Sequence, residues 1–167
     1  GKKSLAEAMA WYHKAADKGD LDASEAMGRM HQFGLGVAID LAQALGWYRK
    51  AAEQGHAASQ NRLGKLYLDG TGVKQDAVQA VDWYRKAAEN GLAAGQYNLG
   101  LQYNNGEGVP QSYAEALRWY RLAAEKKHAS ALNNLGVLYK NGRGVPADPV
   151  EAARLYRMAA ELGNAVA

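Results

Sequence analysis

The stretch Trp83-Tyr84-Arg85-Lys86-Ala87-Ala88-Glu89-Asn90-Gly91 decides the fold because it does not occur only once. Trp-Tyr stands also at Trp11-Tyr12, Trp47-Tyr48 and Trp119-Tyr120, with Leu155-Tyr156 as a fifth copy, each pair 36 residues from the next. Ala-Ala follows in register at 15-16, 51-52, 87-88, 123-124 and 159-160. Self-similarity at a fixed period of this size marks a chain of stacked supersecondary units, each burying its apolar face against its neighbours.

Working outward from that stretch, Ala80, Trp83, Tyr84, Ala87 and Ala88 step as i, i+3, i+4, i+7 and i+8, one broad apolar stripe on a helix, termed B. A capping-box pattern marks its start five times: Ser4 with Glu7, Asp40 with Gln43, Asp76 with Gln79, Ser112 with Glu115 and Asp148 with Glu151. Pro149 suits the first helical position. Gly19, Gly55, Gly91 and Gly163 are expected to end B in the left-handed conformation that glycine takes without strain.

Upstream of each cap lies a Gly-x-Gly-Val loop, at 34–37, 70–73, 106–109 and 142–145. Before it a second amphipathic helix, A, repeats Met27/Leu63/Leu99/Leu135, Met30/Leu66/Gln102/Leu138 and His31/Tyr67/Tyr103/Tyr139. Gly28, Gly64, Gly100 and Gly136 interrupt this helix in register, at roughly 1 kcal/mol each relative to alanine, so a close helix crossing is expected there. The chain therefore reads as one array over 1–167. A leading B helix at 4–18 precedes helix pairs at about 20–54, 56–90, 92–126 and 128–162, and the array is expected to be a fragment, or nearly all, of a longer one.

The pattern Leu63-Gly64-x-x-Tyr67, Gly70-x-Gly72-Val73, Asp76, Ala80, Trp83-Tyr84-x-x-Ala87-Ala88 and Gly91 resembles the Sel1-like repeat, a relative of the tetratricopeptide repeat. His31, Gln102, Leu155 and Lys127 depart from it where Tyr, Leu, Trp and Gly are usual. The resemblance implies an all-α, right-handed α-solenoid of antiparallel helix pairs. It implies a bacterial adaptor or scaffold, in the periplasm in preference to the cytoplasm, binding a peptide segment or a domain of another protein. Two narrower roles follow from the same family: an immunity protein that neutralises a cognate secreted toxin, and the cell-wall chemistry linked to cysteine-rich relatives. The latter is disfavoured here by the absence of cysteine.

Composition sets the outer bounds. The 167 residues suffice for an ordinary core without disulfides or metals, and 48% hydrophobic with 22% charged residues argues against disorder. No stretch approaches the roughly 18 apolar residues of a membrane-spanning helix. Twenty Lys and Arg against seventeen Asp and Glu leave +3, too balanced to imply nucleic acid. The chain opens on Gly1, so a signal peptide is neither indicated nor excluded. A monomer is expected.

The residues that look chemical fall back into the period. The Gly-x-Gly loops follow a helix and occur four times, unlike phosphate-cradling loops, which follow a strand. His56 and His128 share a repeat position 72 residues apart, too far for one metal, and no Ser-His-Asp set is recognisable. The Trp-Tyr pairs, which could pass for stacking platforms beside Arg49-Lys50, are expected to be buried by their helical phase. No catalytic, cofactor-binding or metal-ligating residue is assigned, and the chain is read as a non-enzyme.

Recognition is then expected where the repeats disagree, on the far side of helix A, which a solenoid turns to its concave surface. One column holds Glu25, Asn61, Tyr97 and Asn133, the next Ala26, Arg62, Asn98 and Asn134, and a third Arg29, Lys65, Leu101 and Val137. The columns pass from charged residues to apolar and amide ones, as in a groove whose charged end selects register and whose apolar end supplies desolvation.

Overall fold

The structure, a computed structural model, describes residues 2–165, and the chain divides into two compact units, Gly1–Trp83 and Tyr84–Ala167. The first contains α1 (Lys2–Asp17), α2 (Leu21–Phe33), α3 (Leu41–Ala52), α4 (Ala57–Asp69) and the start of α5 (Ala77–Glu89). Here α2 packs on both α1 and α3, and α3 on α4. The second contains the rest of α5, then α6 (Ala93–Asn105), α7 (Tyr113–Glu125), α8 (Ala129–Asn141) and α9 (Pro149–Ala165), with α6 on α7, α7 on α8 and α8 on α9. Even-numbered helices are type A and odd-numbered ones type B. There are no strands among the described residues.

The B-helix starts lie where the caps place them. Asp40, Asp76 and Asp148 accept from the backbone N–H of Gln43, Gln79 and Glu151 at 3.0 Å, and Ser112 from that of Glu115 at 3.2 Å. Each cap residue also donates its own N–H to an A-helix carbonyl, His31, Tyr67, Tyr103 or Tyr139, at 2.9 Å, which sets the angle of the A-to-B connection. Ser4 differs: α1 is already helical from Lys2, because two lysines, good helix formers, precede it and nothing interrupts them.

At the other end, Gly19, Gly55 and Gly91 turn the chain at φ between 84° and 91°, and Lys127 takes the same left-handed turn at φ 60° despite its side chain. Gly163 does not close a turn; it lies inside α9, which runs on to Ala165.

Three of the in-register glycines of helix A, Gly28, Gly100 and Gly136, admit the tyrosine of the following B helix. A Cβ at Gly28 would stand 2.4 Å from the Tyr48 ring, at Gly100 2.7 Å from Tyr120, and at Gly136 2.8 Å from Tyr156. The second glycine of three loops abuts the preceding B helix: a Cβ at Gly36 would meet Leu5 at 2.8 Å, one at Gly72 Leu41 at 2.8 Å, and one at Gly144 the backbone of Tyr113 at 2.7 Å. Both glycine sets are thus occupied by packing.

Three tyrosines of the Trp-Tyr pairs, Tyr48, Tyr84 and Tyr120, are buried, but exposed Tyr12 and the tryptophans correct the expectation that both partners are. Trp11 is 72% exposed, Trp47 and Trp83 are half-buried, and only Trp119 is buried. Trp47 is partly covered by the B helix one repeat earlier, where His13 of α1 meets it edge-on at 5.4 Å. Among the described residues no helix precedes α1 to do this for Trp11.

Candidate protein-binding faces

Within each unit the A helices bury the repeated Leu or Met and Gly positions, together with the variable column Ser24, Gln60, Gln96 and Leu132, and leave other variable positions at the surface. In α8, Ala131, Leu132, Leu135, Gly136 and Leu138 are buried, while Asn133 and Val137 are exposed and Asn134 is half-buried. In α2 the buried set includes Ala23, Met27, Gly28 and Met30, while Arg29 is exposed.

The face of the first unit, on α2 and α4, is more neutralised than its sequence suggests. Glu25 is only 13% exposed at its side chain and forms an ion pair with Arg62, whose guanidinium also lies over the Tyr48 ring, 5.9 Å from its centroid. Lys65 pairs with Asp69 at 3.0 Å, one helical turn on. Asn61 is half-buried, which leaves Arg29 and Lys65 as the cations most open to solvent among the sequence-predicted residues. The Tyr48 hydroxyl reaches the same face and donates to Gln32 Oε1 at 2.7 Å. Burial pushes its pKa up, against the pull of Arg62 and with the help of Glu25.

The face of the second unit, on α6 and α8, is aromatic and amide-rich. Tyr97 stacks on His128 at 4.8 Å and leans on Tyr120 at 5.9 Å. Asn134 Nδ2 donates to the Tyr120 hydroxyl at 3.2 Å. Burial raises that hydroxyl to about 12, with the Asn134 bond opposing and Tyr97 adding to the rise. Asn98 and Leu101 are half-buried beside them. The structure therefore joins Tyr97 and Asn134 through Tyr120, and Glu25 with Arg62 in the other unit.

Two kinds of participant escape a reading of the columns. The B-helix tyrosines Tyr48 and Tyr120 are core by their rings yet floor these faces with their hydroxyls. The available signal is that Tyr recurs at all five copies, 12, 48, 84, 120 and 156, where phenylalanine would serve for packing alone. His56 and His128 are N-caps of α4 and α8, accepting from the N–H of Ser59 at 3.3 Å and of Ala131 at 3.2 Å. Their register with Asp20, 36 residues before His56, could have shown this. Among the described residues no group of three or more His, Asp or Glu side chains converges as a metal site, and no helix is long and apolar enough to cross a membrane.

These features define an all-α solenoid of helical repeats. The chain belongs to the Sel1 repeat family, whose pattern matches residues 1–20, 21–56, 57–92, 93–128 and 129–164. It is similar to c5321, a protective antigen present in uropathogenic Escherichia coli strains, at 42% identity and a TM-score of 0.90 over 93% of this chain and 33% of that one. It is also similar to a Sel1 repeat protein from Oxalobacter formigenes, at 40% identity and a TM-score of 0.90 over 96% of this chain and 65% of that one. Helicobacter pylori cysteine-rich protein B matches at 25% identity and a TM-score of 0.64, over 78% of this chain and 93% of its own. The chain thus spans about one third of the Escherichia coli protein and 65% of the Oxalobacter protein. No curated protein matches. Sel1 repeat proteins are generally non-catalytic protein-interaction scaffolds.

Proposed function

We propose that this chain is an adaptor that binds another protein through the far faces of its A helices, and that the α6–α8 face of the second unit supplies most of the binding energy. The observation that carries this is the division within α8. In α8 the repeated positions Leu135, Gly136 and Leu138 are buried, whereas Asn133 and Val137, which vary from unit to unit, are left at the surface.

The chemistry of the two faces differs. Around Tyr97 and Tyr120 the rings are already ordered by stacking and by the Asn134 bond, so a partner pays little entropy to meet them. Asparagine amides offer both a donor and an acceptor to a peptide backbone. On α2 and α4, Arg29 and Lys65 attract acidic groups, and their exposure makes them a source of encounter rate more than of affinity.

The test is capture of the partner from the source organism, followed by titration with purified variants. Leu101→Asp with Val137→Asp should weaken binding by more than about tenfold, over 1.4 kcal/mol, with melting temperature held within about 2 °C. Val150→Asp, at an exposed position of α9, is the control and should bind as the wild type does. Equal affinity in the double variant and the control would overturn the placement.

A further inference from the structure

A cleft of about 250 Å³ opens in the second unit between α7, α8 and α9. Arg121, Tyr139, Glu151 and Arg154 form its rim, and Leu132 and Leu155 lie in its floor. It uses the side of α8 turned away from Asn133 and Val137, so it is separate from the face described above.

The frame of this cleft is periodic but its contents are not. Arg121 donates to the Tyr139 hydroxyl at 2.6 Å, as Arg85 does to Tyr103 at 3.3 Å one repeat earlier. Arg154 binds Glu151 at 2.6 and 2.9 Å, as Arg118 binds Glu115 at 3.0 and 3.3 Å. Three lining positions change between these repeats: Leu132 stands where the earlier one has Gln96, Leu155 where it has Trp119, and Met158 where it has Leu122. Gln96 donates to the Ala88 carbonyl at 3.3 Å, and the Trp119 indole is 5% exposed, with the Arg118 guanidinium 4.3 Å from its ring centroid. The first two replacements are aliphatic and the third exchanges one apolar side chain for another. They turn the floor apolar and remove the ring while the arginines that frame it stay in place.

We propose that this cleft binds an indole side chain presented by another protein. The chain's own Trp119 shows which group the frame accommodates, and Leu155 is too short to fill it. An apolar cavity of roughly 150 Å³ holds a benzene ring, so 250 Å³ takes one bicyclic ring and little more. Arg154, tethered by two bonds to Glu151 and by Nη1 to Met158 Sδ at 3.2 Å, stands at the repeat position from which Arg118 lies over the Trp119 ring. The cleft is a furrow between helices, so the ring enters while its backbone stays outside. There Arg121, with one bond to Tyr139, has guanidinium donors left for a peptide carbonyl.

The experiment titrates the whole chain with N-acetyltryptophanamide and with free indole, followed by methyl resonances. One saturable site with a dissociation constant on the order of 1 mM or tighter is expected for each, a range typical of fragments this small. The shifts should be confined to Leu132, Leu135, Leu155 and Met158. Leu155→Trp should weaken both ligands at least tenfold with the helix content unchanged, and Trp119→Leu should add a second equivalent of binding. Should Trp119→Leu fail to fold, Leu155→Trp decides alone. Absence of a saturable site, or unchanged affinity in Leu155→Trp, would overturn the proposal. Binding of free indole without N-acetyltryptophanamide would overturn its assignment to a protein-borne ring.

Discussion

Replacing glycine by alanine at two helical positions of this chain should change stability in opposite directions. Gly46 lies inside α3, and a Cβ there meets nothing within 4 Å. Gly46→Ala therefore keeps only the backbone-entropy gain, about 0.5–1 kcal/mol. Gly100 lies inside α6, where a Cβ would stand 2.7 and 2.8 Å from Tyr120 ring carbons and 3.3 Å from the Ala116 carbonyl. The ring cannot move aside freely, because it is fully buried, leans on Tyr97 and carries the Asn134 bond. Overpacking costs about 1–3 kcal/mol, and loss of that hydrogen bond about 0.5–1.5 more, which together outweigh the entropy gain. Gly100→Ala should thus lose about 1–3 kcal/mol, several degrees of melting temperature at about 2–4 °C per kcal/mol for a chain of this size. Guanidinium unfolding followed by circular dichroism reads both variants as shifts in midpoint at constant slope. Gly136→Ala, whose Cβ would stand 2.8 Å from Tyr156, should behave like Gly100→Ala. A Gly100→Ala protein as stable as the wild type would refute the claim that these glycines exist to admit tyrosine rings.

Four further outcomes follow from single residues. Gln102 is 1% exposed with its Oε1 unpartnered among the described residues, so Gln102→Leu, restoring the residue found at 66 and 138, should raise stability by about 1–2 kcal/mol in the same assay. Lys127→Gly relieves a non-glycine residue at φ 60° and should gain about 1 kcal/mol. Leu92 caps α6 without a side-chain hydrogen bond, so Leu92→Asp should stabilise by about 1 kcal/mol, a difference lost when the introduced carboxylate is protonated at low pH. Burial holds His128 below its ordinary 6.5, so the neutral ring stabilises the fold: that contribution is complete above pH 6.5 and is lost as the pH falls through the folded-state pKa. Imidazole titration by NMR should show the lowered value, and His128→Asn, which caps without titrating, should flatten the loss of stability on acidification.

The far faces of the A helices were legible as positions but not as chemistry. The columns identify Glu25, Arg62, Tyr97 and Asn134 as variable residues on one side of a helix. They do not show that Glu25 and Arg62, 37 residues apart, neutralise each other, or that Tyr97 and Asn134 meet through Tyr120. A column compares one position across repeats, whereas these contacts join different positions on different helices.

From its sequence alone this chain determines its period, the caps that start α3, α5, α7 and α9, the glycine turns after α1, α3 and α5, and the close approach of A and B helices at the helix-A glycines. Stacking makes each of these environments nearly the same in every repeat, so the period itself reports the packing. Only the tertiary structure decides what the repeats do differently: the graded burial from Trp11 to Trp119, the hydroxyls of Tyr48 and Tyr120 at the A-helix faces, and the cleft above Leu155. Those depend on which neighbour a side chain meets across helices, and on the volume left when one member of a repeated set is smaller than the rest.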